Sequence, residues 1–233
     1  MAIDLEGVDE YVLVGTTALI DVAGDFSAAT WIRPDTDAHH SWFNQSRLTV
    51  SDAGIFFQLL NAGPVVRFFA RNDAAATLAV LGTTTVSIGA WHHIAITRAG
   101  TSWVLYVDGV AEPFTATLPA APYTITTRRI GVESSNSGNF GWLNGQLEDE
   151  RVYNRLLSAE EVAILAAGYR GPLGGEVGWW SCQNFRGVAH PDGATLTAAT
   201  HYLRDESGNG NTGDPINGVI ARASDAPRMG VTF

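Results

Sequence analysis

The 233-residue sequence has a formal net charge of −10, with 45% hydrophobic and only 16% charged residues. This apolar content is enough for a folded core and argues against disorder. The basic residues form no stripe longer than Arg128-Arg129, which argues against a nucleic-acid-binding surface, and an acidic surface also repels anionic membranes.

The residues from Met1 to Glu6 carry acids where a signal peptide needs positive charge, and no apolar segment follows them. No stretch approaches the roughly 20 apolar residues of a membrane-spanning helix. We therefore expect synthesis and assembly in the cytoplasm. Cys182 is the only cysteine, so an internal disulfide is excluded, and we expect a small buried hydrophobic residue there.

Short runs rich in Val, Ile, Thr and aromatic residues alternate with turn residues, which predicts many short strands. Asp108-Gly109 predicts a two-residue hairpin turn, because both positions need positive φ. A long polar loop is predicted over 133–141. The predicted strands are 11–14, 26–33, 55–60, 65–71, 91–98, 102–107, 129–132 and 146–153.

One helix is predicted after these strands. Ser158 and Glu161 form a capping box, an apolar stripe includes Val162 and Leu165, and Gly168 ends the helix. A Gly/Pro linker at 171–175 precedes a loop-rich segment. We predict a domain over 1–170, with 171–233 completing it or reaching a neighbouring subunit.

Four segments resemble, in their order and spacing, the laminin G-like or concanavalin A-like jelly-roll domains, including such domains in bacteriophage virion proteins. They are 5–12, 26–34, 91–109 and 145–155 followed by the Ser158 helix. The resemblance implies an all-β fold, a two-sheet antiparallel jelly-roll sandwich with one short helix.

Two further segments resemble the first strand and the glycine-rich loop of the same family. They are Val177–Trp180 and Asp205–Gly213, and in the family they precede the stretch that matches 5–12. The order here predicts a circular permutant, because sandwich termini often lie close together. The C-terminal segment folds back on its own chain or crosses to a neighbour, and we favour the first.

The glycine-rich loop contains oxygen ligands at Asp205, Asn209 and Asn211, the kind that calcium prefers. The family resemblance implies calcium at such a loop and adds Glu148 and Asp149 as nearby contributors. The alternative is an Asx-rich turn whose side chains bond only to their own backbone.

Glu148 and Glu150 alternate along a predicted strand and so are expected to share a face. Paired glutamates on one strand are the catalytic arrangement of glucanases with this fold class. The usual spacing is longer, however, and Val152 stands where a further acid is expected. We predict a protein that is not an enzyme.

Aromatic residues in or beside loops are candidates for stacking on sugar rings or packing at a protein interface. The candidate binding residues are Trp42, Asn139, Phe140 and Trp142.

Fold alone does not decide function, so three hypotheses follow. The first is a non-catalytic virion protein: a bacteriophage capsid decoration, head-fibre or tail component, assembled in the host cytoplasm. Its partners would be other virion or surface proteins and glycans, in a homo-oligomer, with no nucleic acid and no membrane. The alternative is an extracellular carbohydrate-binding or adhesion module of a larger secreted protein. The third is a glycoside hydrolase.

Overall fold

The computed structural model describes residues 2–48, 53–61, 63–135, 138–182, 194–196 and 202–229. The elements are β1 (Ala2–Glu6), β2 (Tyr11–Gly15), β3 (Phe26–Pro34), β4 (His40–Ser46), β5 (Gly54–Leu60), β6 (Val65–Arg71), β7 (Thr77–Thr85), β8 (His92–Ala99), β9 (Ser102–Val107), β10 (Val110–Thr115), β11 (Thr127–Ile130), β12 (Glu133–Ser135), β13 (Gly138–Phe140), β14 (Asn144–Tyr153), α1 (Ala159–Ala166), β15 (Glu176–Trp180), β16 (Asp214–Ile216) and β17 (Ile220–Arg222).

Two antiparallel sheets pack face to face. The eight-stranded sheet has the order β10-β9-β8-β3-β14-β1-β17, with β15 also paired to β14. The seven-stranded sheet has the order β16-β2-β11-β4-β5-β6-β7, and β12 and β13 form a separate hairpin. This confirms the predicted all-β, two-sheet antiparallel sandwich with one short helix. No helix in the described residues is long and apolar enough to span a membrane.

The sequence reading missed β4, a central strand of the seven-stranded sheet. Its residues are largely polar, and His40 at its start is nevertheless fully buried. Partners from distant parts of the chain make this burial possible: Gln45 Oε1 accepts hydrogen bonds from the backbone N–H groups of Leu19 and Ile20 at 2.8 and 3.0 Å.

The strand β14 runs through the middle of the eight-stranded sheet. It pairs with β3 on one side, while on its other side β1 pairs with 144–147 and β15 pairs with 150–153. The two shorter strands therefore lie end to end along one longer strand. Further strands from the C-terminal part of the chain extend the sheets, since β16 pairs with β2 and β17 pairs with β1.

A β-bulge interrupts β14 at Asp149, which has a φ of 60°. The extra residue reverses the alternation of side chains beyond it. Leu147 lies in the core between the sheets, and Glu148 contacts arginines on the outer face. Glu150 is opposite the core residue Trp180 and faces inward, fully buried. The prediction that Glu148 and Glu150 share a face is therefore wrong.

Aromatic side chains fill much of the space between the sheets. Phe26 and Trp103 from one sheet contact Phe68 from the other, with ring centroids 6.0 and 4.6 Å apart. At the other end of the core, Trp180 of β15 lies 6.2 Å from Phe43 of β4. The C-terminal segment thus contributes a large side chain to the main core.

The outer face of the eight-stranded sheet is covered by two segments. The helix α1 packs Val162 and Leu165 against outward-facing residues of β3, β8 and β9. Its capping box forms as predicted, with Ser158 and Glu161 bonded reciprocally. Beside the helix, Asp225 accepts a hydrogen bond from the Trp91 indole at 2.6 Å. This face is therefore largely occupied by the chain itself.

We predict that Glu150 makes stability fall with increasing pH. Burial, and next to it the Asp149 carboxylate, raise the pKa of Glu150 well above its usual value. The native state then keeps a proton that an unfolded glutamate releases at a pKa of about 4.3. Above that pH the free energy of unfolding falls, by up to about 1.4 kcal/mol per pH unit, until the native pKa is passed.

Glu150→Gln has no proton to release, so its stability advantage over the wild type should grow as the pH rises above about 4.3, the pKa of an unfolded glutamate. Denaturant unfolding at each pH measures the difference. Glu6→Gln, at an exposed position of β1, is the control substitution. Burial, with Arg170 and Arg151, lowers the pKa of His93 to about 3. This gives an opposite slope that cancels in the comparison. A flat Glu150→Gln difference would contradict the prediction.

We also predict that deleting 176–233 gives an aggregated or unfolded product. The deletion removes Trp180 from the core. It also leaves one side of β2 and one side of 150–153 in β14 without a partner strand. Gel filtration and thermal melting measure the outcome. A soluble, monomeric product with a cooperative transition would show that the rest of the sandwich is complete without this segment.

Candidate functional site

The outer face of the seven-stranded sheet carries a polar network beneath the β12–β13 hairpin. The predicted loop over 133–141 is in fact this hairpin. Glu133 accepts a hydrogen bond from Gln58 Nε2 and lies 3.3 Å from His39 Nε2. Asn44 of β4 donates to the carbonyl of Val132. The hairpin is thereby fixed to the sheet by side chains from β4, β5 and the turn before β4.

Arg129 of β11 holds the other side of the hairpin. Its guanidinium donates to Ser134 Oγ and to Asn139 Oδ1, both at 2.6 Å, and lies 4.6 Å from the centre of the Tyr11 ring. The Tyr11 ring in turn lies 6.2 Å from that of Trp142. A cation, a phenol and an indole are thus assembled next to the hairpin.

Three of the four predicted binding residues lie at this hairpin. Phe140 is 40% exposed, with its ring 6.3 Å from that of His39. Trp142 is half-buried, and Asn139 is exposed while its amide oxygen is bonded to Arg129. The sequence reading found them because they interrupt a polar, glycine-containing stretch with aromatic residues.

Trp42, the fourth predicted binding residue, does not belong to this surface. It lies in β4 rather than in a loop, is only 2% exposed, and packs in the core 6.0 Å from Phe57. A ring with no accessible face cannot stack on a ligand, so this prediction is wrong. The register shift between Ser41 and Phe43 accompanies its inward orientation.

A second cluster on the same outer face was not found from the sequence. Arg67, Phe69 and Arg71 project outward from β6 and are half-buried, whereas the residues between them lie in the core. The Arg67 guanidinium stacks on Phe69 at 4.5 Å, and the Phe56 ring lies 5.8 Å from that of Phe69. The sequence signal for this cluster is the Arg-x-Phe-x-Arg alternation within 65–71. From the sequence, 65–71 is predicted only as a strand, and its arginines are not singled out.

The Asp205 loop lies against β15, and the Asp205 carboxylate accepts hydrogen bonds from groups of the protein. Asp205 Oδ1 accepts from the backbone N–H groups of Trp179 and Ser207, both at 3.0 Å. Its Oδ2 accepts from the backbone and the side-chain amide of Asn211, at 2.8 and 3.1 Å. The Asn209 amide donates to the carbonyl of Glu176. The bonds of Asp205 to Ser207 and Asn211 lie within the loop, as the Asx-rich alternative predicted, and the other bonds join the loop to β15.

A guanidinium lies beside the same loop. Arg128 projects between the sheets and is only 4% exposed. Its guanidinium nitrogen Nη2 donates a hydrogen bond to Asn211 Oδ1 at 2.9 Å. Burial lowers the pKa of Arg128, and the Asp205 carboxylate opposes that shift. Within the described ranges, no group of three or more His, Cys, Asp or Glu side chains is arranged to hold a metal ion. The loop oxygens that the resemblance assigned to calcium thus accept hydrogen bonds from N–H groups, including a guanidinium.

The remaining predicted metal ligands, Glu148 and Asp149, are bound to other partners. Glu148 is fully buried and accepts hydrogen bonds from Ser224 and Arg228. Asp149 accepts from Arg151 Nε at 3.0 Å and from the Trp179 indole at 2.7 Å. Both acids thus stabilise the covered outer face of the eight-stranded sheet.

The paired-glutamate arrangement of a glycosidase is absent from β14. Because Glu148 faces outward and Glu150 faces the core, the two carboxyl groups lie on opposite faces of the sheet and cannot flank one glycosidic bond.

A protein-family model described as the concanavalin A-like lectin/glucanases superfamily (Laminin_G_3) matches residues 6–163. Comparison with curated protein sequences finds no match.

Several solved structures have the same fold. A Bacteroides ovatus protein assigned as carbohydrate-binding is 14% identical and has a TM-score of 0.67. The match covers 98% of this chain and 61% of the Bacteroides protein. A heptameric SAP-like pentraxin from Limulus polyphemus is 14% identical, with a TM-score of 0.55 over 71% of this chain and 81% of its own. The CBM40 domain of the Ruminococcus gnavus IT-sialidase, bound to α2,3-sialyllactose, is 15% identical, with a TM-score of 0.54 over 71% and 98%.

The Asp205 loop yields a prediction about calcium. Since both carboxylate oxygens are occupied by N–H donors, we expect the melting temperature to be the same in excess calcium and in chelator. Asp205→Ala should destabilise the fold equally in both, by about 1–3 kcal/mol, because buried donors lose their acceptor.

A resident ion would give a different result. Binding at 100 times its dissociation constant would add about 2.7 kcal/mol to the free energy of unfolding. A calcium-dependent rise in melting temperature that Asp205→Ala abolishes would contradict our expectation. It would also identify Asp205 as a ligand, while magnesium in place of calcium controls for general ionic effects.

Proposed function

Because the chain belongs to the concanavalin A-like lectin/glucanases superfamily, we propose that it is a non-catalytic carbohydrate-binding module that binds glycans on the outer face of its seven-stranded sheet. One observation carries this proposal. Phe140 and Trp142 lie beside a fixed network of polar side chains at the β12–β13 hairpin. Glycan sites combine aromatic surfaces with a few convergent polar groups in this way.

The similar structures favour a carbohydrate-binding module over a virion structural protein, which was the first hypothesis from the sequence. Two of the similar structures are a protein assigned as carbohydrate-binding and a carbohydrate-binding module with a bound sialylated sugar. The virion location and the homo-oligomeric state both stay predictions. The heptameric pentraxin, which shares the fold, supports the homo-oligomeric state.

We also propose that the chain is circularly permuted within this fold. The end-to-end positions of β15 and β1 beside β14 support the proposal, since the chain direction leads from β15 toward β1. In this arrangement 176–222 supplies the strands and the glycine-rich loop that precede β1 in the usual order.

Glycan binding is tested on an array, followed by calorimetry with the best ligand. Phe140→Ala and Trp142→Ala should each weaken binding about three- to tenfold, because a stacked aromatic ring contributes roughly 0.5–1.5 kcal/mol. Leu156→Ala is the matched control, because Leu156 is a similarly exposed apolar side chain (45%) outside the hairpin. Equal affinities in all three variants would place the site elsewhere, and no binding to any glycan would contradict the function.

A further inference from the structure

Two arginines flank an aromatic ring on the accessible part of the seven-stranded sheet. Arg67, Phe69 and Arg71 occupy alternate positions of β6, so successive side chains on this face are about 7 Å apart. On the neighbouring edge strand β7 they are opposite Leu81, Ala79 and Thr77, all of which are exposed. We call Arg67, Phe69 and Arg71 the arginine row.

Polar atoms at the arginine row have unused hydrogen-bonding capacity. Arg67 Nε is buried and has no hydrogen-bond partner in the described part of the chain. Gln58 is the cross-strand neighbour of Arg67 and is only 1% exposed. Its Nε2 donates to Glu133, which leaves Oε1 buried without a donor among the described residues. Arg67 and Gln58 are thus cross-strand partners beneath the accessible part of the arginine row.

The charges at the arginine row are unusual for this protein. The chain carries a net charge of −10 and contains no lysine, so all 14 of its basic residues are arginines. Most described arginines contact acids or backbone carbonyls, whereas Arg67 stacks on Phe69. Burial lowers the pKa of Arg67, and the Glu133 carboxylate opposes that shift. A partly desolvated guanidinium over an aromatic ring gains most from an anionic partner.

We infer that the arginine row binds the carboxylate of an acidic sugar, whose ring lies against Phe69. The guanidinium fork matches a planar carboxylate with two parallel, charge-assisted hydrogen bonds, and a neutral sugar carries no such group. This inference rests on the proposed glycan-binding function and specifies its ligand class.

The test measures binding of three sugars by calorimetry: lactose, sialyllactose, and lactose carrying a sulfate. The wild type should bind sialyllactose at least about tenfold more tightly than lactose, because charge-assisted hydrogen bonds contribute about 1.5–3 kcal/mol. Arg67→Gln and Arg71→Gln should each abolish this preference. Arg67→Lys should restore it only in part, because an ammonium lacks the fork. The preference should also weaken with added salt.

Arg204→Gln is the matched control, since its side chain is 63% exposed, lies outside the arginine row and removes the same charge. Thermal melting verifies that each variant is folded. Equal binding of lactose and sialyllactose by the wild type would overturn the inference and leave the glycan-binding function intact. A preference for the sulfated sugar over sialyllactose would overturn the carboxylate assignment. No binding of any sugar would overturn both proposals.

Discussion

The β-bulge at Asp149 is the constraint on which the arrangement of the eight-stranded sheet depends. Glu148 precedes the extra residue of β14 and faces outward, whereas Glu150 lies beyond it and faces the core. Arg151 then lies on the outer face, where its guanidinium contacts both Asp149 and the Trp179 ring. A regular strand would reverse the orientations of Glu150 and Arg151 and direct the arginine between the sheets.

The outward acids of β14 in turn organise the cover of that face. Glu148 binds Arg170, which follows α1, and Arg228, which belongs to the C-terminal segment. The backbone N–H of Met229 also donates to the carbonyl of Gly168 at 3.0 Å. Together these contacts close the outer face of the eight-stranded sheet. The opposite outer face, on the seven-stranded sheet, keeps half-buried and exposed aromatic and guanidinium groups, so the two faces of the sandwich have different roles.

Arginine serves two purposes in this acidic protein. Most guanidinium groups act internally: Arg128 bonds to the Asp205 loop, and Arg129 fixes the β12–β13 hairpin. Arg128 places a positive charge beside the loop for which the family resemblance implied calcium. Its guanidinium donates directly to the amide oxygen of Asn211, which was one of the expected ligands. The arginine row differs because its cations lie at the surface beside an aromatic ring.

Local patterns in the sequence determined much of the fold. Strand periodicity predicted β2, β3, β5, β6, β8, β9 and β14 to within two residues, and the capping box predicted α1, because both signals depend on neighbouring residues. They also placed Phe140 and Trp142 beside a polar segment, and both residues lie at the β12–β13 hairpin. Only the tertiary structure decided that β4 is a buried strand, since Gln45 is satisfied by residues about 25 positions away. It likewise decided that Trp42 is inaccessible, that the Asp149 bulge separates two glutamates, and that Arg128 reaches Asn211. These features arise from pairing between distant segments, which no local pattern in the sequence contains.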